Sequence, residues 1–307
     1  MTQRTVPPVS LNWLVLWRSE ENVLTTDMIF DSHAHLCDAK FDEDRDAVIR
    51  GLPAKGVQGF TEVGFDLPSS KSAVTMALKY PSIYAAVGFH PDHSDCLTAE
   101  ALDALRRLIK EHRDVIVAVG EIGLDYHYTR DAIRRRAEND GREATEEELA
   151  GADPEASVQK QCFRTMLTLA AETGLPINVH TRDAAKDTYD MIVAEKGYRN
   201  GGIIHCFGYS KEVAAQYVKL GMCIGIGGVV TFKNSKKIKE VVRETPIDHI
   251  VLETDCPYMS PVPLRGTRND PGNLPYVAQT IAELKDMCVE EVIRITTENA
   301  QRVYRIK

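Results

Sequence analysis

A chain of 307 residues is long enough for two domains of ordinary size or for one α/β barrel with extensions. Its 43% apolar and 27% charged residues are those of a globular protein and exclude a disordered or collagen-like chain. The formal net charge of −8 excludes attraction to nucleic acid through overall charge, and no stretch approaches the ~20 apolar residues of a membrane span.

Residues 1–27 form the first segment. The apolar run from Trp13 to Trp17 is too short for a signal-peptide core, and Glu20 and Glu21 follow it. The segment is expected to be a peripheral extension, with the folded unit spanning 28–307. From Met28 onward, short Val- and Ile-rich runs recur, as buried parallel strands require: Ile29–Asp31, Val57–Glu62, Ile83–Phe89, Val115–Glu121, Pro176–His180, Gly202–His205, Met222–Ile226 and Ile250–Glu253. Helical patterns alternate with them at Arg45–Lys55, Ser69–Lys79, Ala99–His112, Val158–Glu172, Ala184–Glu195, Lys211–Leu220 and Lys236–Glu244, and Thr280–Leu284 and Val289–Ala300 close the chain. Eight such units predict a (β/α)8 TIM barrel. A doubly wound open sheet is disfavoured because no Gly-x-Gly-x-x-Gly turn follows the first strand.

The connection after the fourth strand is too long for one helix and two loops. Its surplus, Arg130–Glu155, carries a local charge of −4 and would sit on the catalytic rim of a barrel. It reads as a solvated insertion, a loop or an exposed helix, rather than a lid. Seven cysteines with no Cys-x-x-Cys spacing read as buried free thiols in a reducing compartment, which predicts a cytoplasmic protein.

The chemistry lies at the strand ends. His33 and His35 flank Ala34 and, with side chains alternating at period 2, point the same way. A His-x-His pair alone is a weak metal signal. Glu121 after the fourth strand, His180 after the fifth, His205 after the sixth and Asp255 after the eighth strengthen it, because a barrel gathers those ends at its mouth. Six nitrogen and oxygen ligands exceed what one ion takes from a protein, and a carboxylate such as Glu121 can bridge two. The same alternation turns Cys206 and Cys256 to the opposite face, leaving an all-nitrogen-and-oxygen site compatible with Mg2+, Mn2+ or Zn2+.

These motifs resemble those of the TatD family of metal-dependent nucleases, within the amidohydrolase superfamily. The similarity runs from about Met28 to Tyr304 and includes Asp31-Ser32-His33-Ala34-His35-Leu36, Gly88-Phe89-His90-Pro91, Gly120-Glu121-Ile122-Gly123-Leu124-Asp125, His180-Thr181-Arg182-Asp183, His205-Cys206-Phe207 and Glu253-Thr254-Asp255-Cys256-Pro257. The resemblance implies a barrel with two divalent ions, one on His33, His35, Glu121 and Asp255, the other on Glu121, His180 and His205. It implies a deoxyribonuclease, commonly a 3′-to-5′ exonuclease; aromatics able to stack bases (Phe65, Tyr126, Phe207, Phe232 and Tyr258) suit single-stranded or frayed DNA, though core packing explains any one of them equally well. RNA or aminoacyl-tRNA is the other nucleic-acid substrate to weigh, and the runner-up activity is an ester or amide hydrolase such as a D-aminoacyl-tRNA deacylase. The chain departs from the family in the length of Arg130–Glu155 and in residues 1–27.

Within that frame Asp255 is expected to take a proton from the attacking water and Glu121 to hold both ions. His90, Arg182, Arg265 and Arg268 are the expected contacts to phosphate or leaving group. Arg268 is preferred because a guanidinium near such a site needs an anion. Residues 233–243, with a local charge of +4, could follow a nucleic-acid backbone or be a solvated helix face. No membrane association and no obligate protein partner are expected.

Overall fold

The computed structural model describes residues 28–306, so the reading of residues 1–27 as peripheral lies outside the described residues. Eight parallel strands pair in chain order, β1 (Ile29–Ala34), β2 (Val57–Val63), β3 (Ile83–Val87), β4 (Ile116–Asp125), β5 (Ile177–Arg182), β6 (Gly202–Ile204), β7 (Cys223–Ile226) and β8 (Ile250–Leu252). The helices between them are α1 (Arg45–Gly51), α2 (Leu67–Lys79), α3 (Ala99–Glu111), α4 (Arg130–Asn139), α5 (Glu146–Ala150), α6 (Ala156–Thr173), α7 (Ala185–Ala194), α8 (Lys211–Lys219), α9 (Lys236–Glu244), α10 (Leu274–Lys285) and α11 (Val289–Tyr304). This is the expected (β/α)8 barrel.

Local sequence explains the boundaries. Pro53 ends α1 before the expected Lys55, since its ring cannot continue the helix, and Pro275 opens α10 in the first turn, where a missing N–H costs nothing. The insertion folds as two short, largely exposed helices, with α5 started by a Thr145–Glu148 capping box. Its neck is closed where Asp153 N–H donates to the Tyr128 carbonyl at 3.0 Å.

Side chains alternate between two apolar clusters. Phe30, Ala86, Ala118, Ile203, Cys223 and Val251 fill the barrel interior, while Ile29, Ala85, Val119, Ile204, Ile224 and Leu252 face the surrounding helices. Ala300, Val303 and Tyr304 of α11 join the interior cluster. Two strands break the alternation just before the residues of interest. The register shifts between Asp31 and Ala34 of β1 and between Val119 and Ile122 of β4, so that His33 and Glu121 turn inward. Such irregularities re-aim side chains next to active sites.

The seam between β8 and β1 has no strand ladder. Asp255 N–H donates to the His33 carbonyl and His35 N–H to the Cys256 carbonyl, both at 3.0 Å. The buried carboxyl of Asp31 completes it, accepting from Thr254 N–H at 3.0 Å and from His33 N–H at 3.1 Å. Burial pushes this acid up to about 8 despite those bonds. Such a group keeps its proton in the native state after the unfolded chain has lost it. Its contribution to stability therefore falls as pH rises from about 4 through about 8. Asp31→Asn keeps the acceptor without the buried charge. Urea unfolding of the metal-free protein is expected to show it gaining on wild type between pH 5 and pH 8, and a constant difference would refute this role.

Candidate metal centre

The strand ends bring five imidazoles and two carboxylates together. Glu121, 5% exposed, sits at the middle and divides its oxygens. Its Oε2 lies 3.5 Å from His33 Nε2 and 3.7 Å from His35 Nε2. Its Oε1 lies 3.0 Å from His180 Nδ1 and 3.7 Å from both His90 Nε2 and His205 Nε2. Asp255 Oδ1 closes the first side at 3.5 Å from His35 Nε2 and 3.8 Å from His205 Nε2. All six residues expected as ligands therefore converge, and Glu121 belongs both to a group with His33 and His35 and to one with His90 and His180.

Four of the five imidazoles are hydrogen-bonded from behind, and the fifth, His205, faces a buried carboxylate. His33 Nδ1 meets Asn178 Oδ1 at 3.1 Å, His35 Nδ1 the Val63 carbonyl at 2.8 Å, and His180 Nε2 Asp125 Oδ2 at 3.0 Å. His90 Nδ1 meets Asp92 Oδ1 at 2.5 Å. His205 Nδ1 lies 3.3 Å from Glu253 Oε2 without forming a hydrogen bond, and among the described residues neither atom has another partner. An outward nitrogen engaged by an acceptor and an inward one left for a ligand is how metal-binding histidines are held. The donor set thus fits metal binding.

The electrostatics suit cations as well. Burial works against charge on Glu121, yet the neighbouring His90 and His33 outweigh it and hold the carboxyl well below the usual range; Asp255 is likewise lowered by His205 and His35. Burial opposes charge on the imidazoles too. His35 is nevertheless held at about 9 by Asp255 and Glu121, and His180 at about 10 by Asp125 and Glu121. Protons occupy these positions where no cation does.

Sequence reasoning did not single out Asn178, Asp125 or Glu253 as supports. Asn178 and Asp125 stand two and four residues from a ligand on the same strand, the spacing that shares a face, and Glu253 stands two residues before Asp255 just past the end of β8. Glu253 is fully buried and also accepts Cys206 N–H at 2.6 Å. Glu253→Ala is expected to weaken cation binding on the His205 side by about 10–100-fold, with Glu253→Gln milder. Direct metal titration checks this, and unchanged affinity in the alanine variant would remove the supporting role.

The expected substrate contacts divide. His90 is inside the cluster, its ring centroid 4.4 Å from that of His180. Arg182 is exposed beside the site, donating to Asp125 Oδ2 at 2.8 Å, the oxygen that also faces His180. Arg265 is exposed and stacks over Phe232, 3.8 Å from its ring centroid. The argument for Arg268 is corrected. Its anion comes from the chain itself, since both terminal nitrogens bond Asp44, at 2.8 and 2.6 Å, and the guanidinium covers Phe41. In the basic segment Lys239 donates to the Phe232 carbonyl at 2.8 Å, and Lys237 is exposed.

The reading of the cysteines is also corrected. All seven are free thiols, but Cys96 and Cys288 are exposed. Cys256 is buried as expected, whereas Cys206 groups with His205 and Asp255. Strand β6 ends at Ile204 and Cys206 has φ +46°, so the alternation that would turn it away no longer applies.

Comparison with known proteins gives consistent relatives. The sequence pattern of the family described as TatD related DNase matches residues 30–305. An uncharacterized metal-dependent hydrolase of Bacillus subtilis, YabD, is 42% identical over 279 residues, covering 91% of this chain and all of that protein. The uncharacterized metal-dependent hydrolase TatD of Mycobacterium tuberculosis is 35% identical, covering 89% of this chain and 97% of its own. Among solved structures the Escherichia coli TatD homologue YJJV superposes with a TM-score of 0.79 at 24% identity, covering 92% of this chain and all of that one.

Proposed function

Because the chain belongs to the TatD family and is a metal-dependent hydrolase, we propose that it is a two-cation phosphodiesterase, a deoxyribonuclease that removes nucleotides from the 3′ end of single-stranded or frayed DNA. The observation that supports this reading best is the division of Glu121, one carboxylate oxygen facing His33 and His35, the other His180, His90 and His205. Two divalent cations, Mg2+, Mn2+ or Zn2+, would polarise the phosphate oxygens and acidify a water there. His33, His35, Glu121 and Asp255 would hold the first, and Glu121, His180 and His205 the second.

The chain's own groups do the rest. Asp255, which would hold the first cation through Oδ1, takes the proton of the attacking water on its other carboxylate oxygen and aims it in line with the departing oxygen. His90 presents Nε2 to the same space while Asp92 fixes its Nδ1, so it stands where a departing 3′-oxygen can be met. Arg182 braces His180 through Asp125 and keeps an exposed edge for a phosphate.

The experiment is a parallel assay of metal-loaded protein on end-labelled single-stranded DNA, aminoacyl-tRNA and simple esters. DNA shortened one nucleotide at a time, and stopped by chelator, supports the nuclease. Release of amino acid from tRNA with DNA left intact would replace it with the deacylase reading.

A further inference from the structure

Next to the metal cluster the ends of β6, β7 and β8 enclose a largely apolar cavity of about 230 Å3. Its lining includes Phe207, Val229 and Met259, and Asp255 borders it, so one carboxylate faces both the cluster and the cavity. Part of the wall is bare main chain. A Cβ at Gly225 would lie 2.0 Å from Glu253 Oε2, and one at Gly228 2.1 Å from the Met259 carbonyl oxygen, so neighbouring groups keep side chains out of both positions. Lys237, exposed, contributes the one ammonium of the lining; among the described residues it has no acidic partner.

We propose that this cavity receives the terminal base of the strand being cut, with Lys237 opposite the phosphate beside it. The inference rests on the phosphodiesterase reading and names the feature that would restrict it to strand ends. Three observations carry it. Sharing Asp255 places the cavity one group away from a phosphate attacked at the cluster. Its walls, a buried phenyl ring, a thioether and glycine backbone, suit the faces of a planar heterocycle. Its volume falls below the roughly 300–1,000 Å3 of clefts that take drug-sized ligands, which matches one base and not a strand running through. A base lodged there ends the chain, so each cut releases a single nucleotide.

The test compares ligands with and without a base. Calorimetry with deoxyadenosine 5′-monophosphate and 2-deoxyribose 5-phosphate, in Mn2+-loaded wild type, is expected to show the nucleotide bound at least tenfold more tightly. Val229→Trp, which fills the cavity, should abolish that preference, and Lys237→Ala, a surface change, should weaken both ligands equally. In turnover, Val229→Trp should lose about tenfold in kcat/KM on an end-labelled oligonucleotide while its metal content and melting temperature stay those of wild type. Equal binding of the two ligands by wild type, or full oligonucleotide activity in Val229→Trp, overturns the proposal. Absence of phosphodiester cleavage in wild type would overturn the enzymatic reading instead, and the binding comparison, which needs no turnover and no variant, still decides the cavity.

Discussion

Glu121→Ala is expected to abolish turnover, by at least about 10³-fold, and to lower the bound metal from two ions per chain to one or none. No other group can take its place. Among the described residues it is the only carboxylate with one oxygen within 4.0 Å of His33 and the other within 4.0 Å of His180, and it is buried, so no outside anion replaces it. Without it, imidazoles that now flank a carboxylate face one another, which opposes cation binding. Glu121→Gln keeps the shape and loses the charge, separating the two contributions. Metal per chain by mass spectrometry, read beside turnover, checks the result; two ions retained with activity intact would dismiss the bridging role.

Asp255→Asn is expected to lower kcat by about 10²–10⁴-fold while the protein stays folded and keeps most of its metal. Asparagine is the informative replacement because the backbone here is left-handed, with φ +53°, a conformation it tolerates and alanine does not. The seam bond from Asp255 N–H to the His33 carbonyl is main chain and survives the change. What is lost is an oxygen able to take a proton beside His35 and His205. A variant with near-normal kcat, its metal content and melting temperature those of wild type, would show that the base lies elsewhere.

The fold was legible because burial on both faces forces the strands to be Val- and Ile-rich, and because a barrel's order is its chain order. The ligands were legible as types at strand ends. What escaped was geometry set by closure. Alternation from Phe30 would have sent His33 outward, and only the irregularity between Asp31 and Ala34 turns it in. The same rule failed for Cys206, which lies past the end of its strand in a left-handed conformation. Arg268 misled because its partner, Asp44, is 224 residues away in the chain and no local pattern announces it. Asp125, Asn178 and Glu253 were within reach, since each stands two or four residues from a ligand, but their importance depends on what stands opposite across the barrel.

The missing ladder between β8 and β1 ties occupancy to folding. His33 lies on the first strand, His35 just past its end and Asp255 just beyond the last strand, and two of the bonds that join the sides are His35 N–H to the Cys256 carbonyl and Asp255 N–H to the His33 carbonyl. A cation held by both sides would span the join. Binding and closure are then one equilibrium, so stability increases with the logarithm of free cation above its dissociation constant. A chain without its cation would be the one whose first and last strands part most readily.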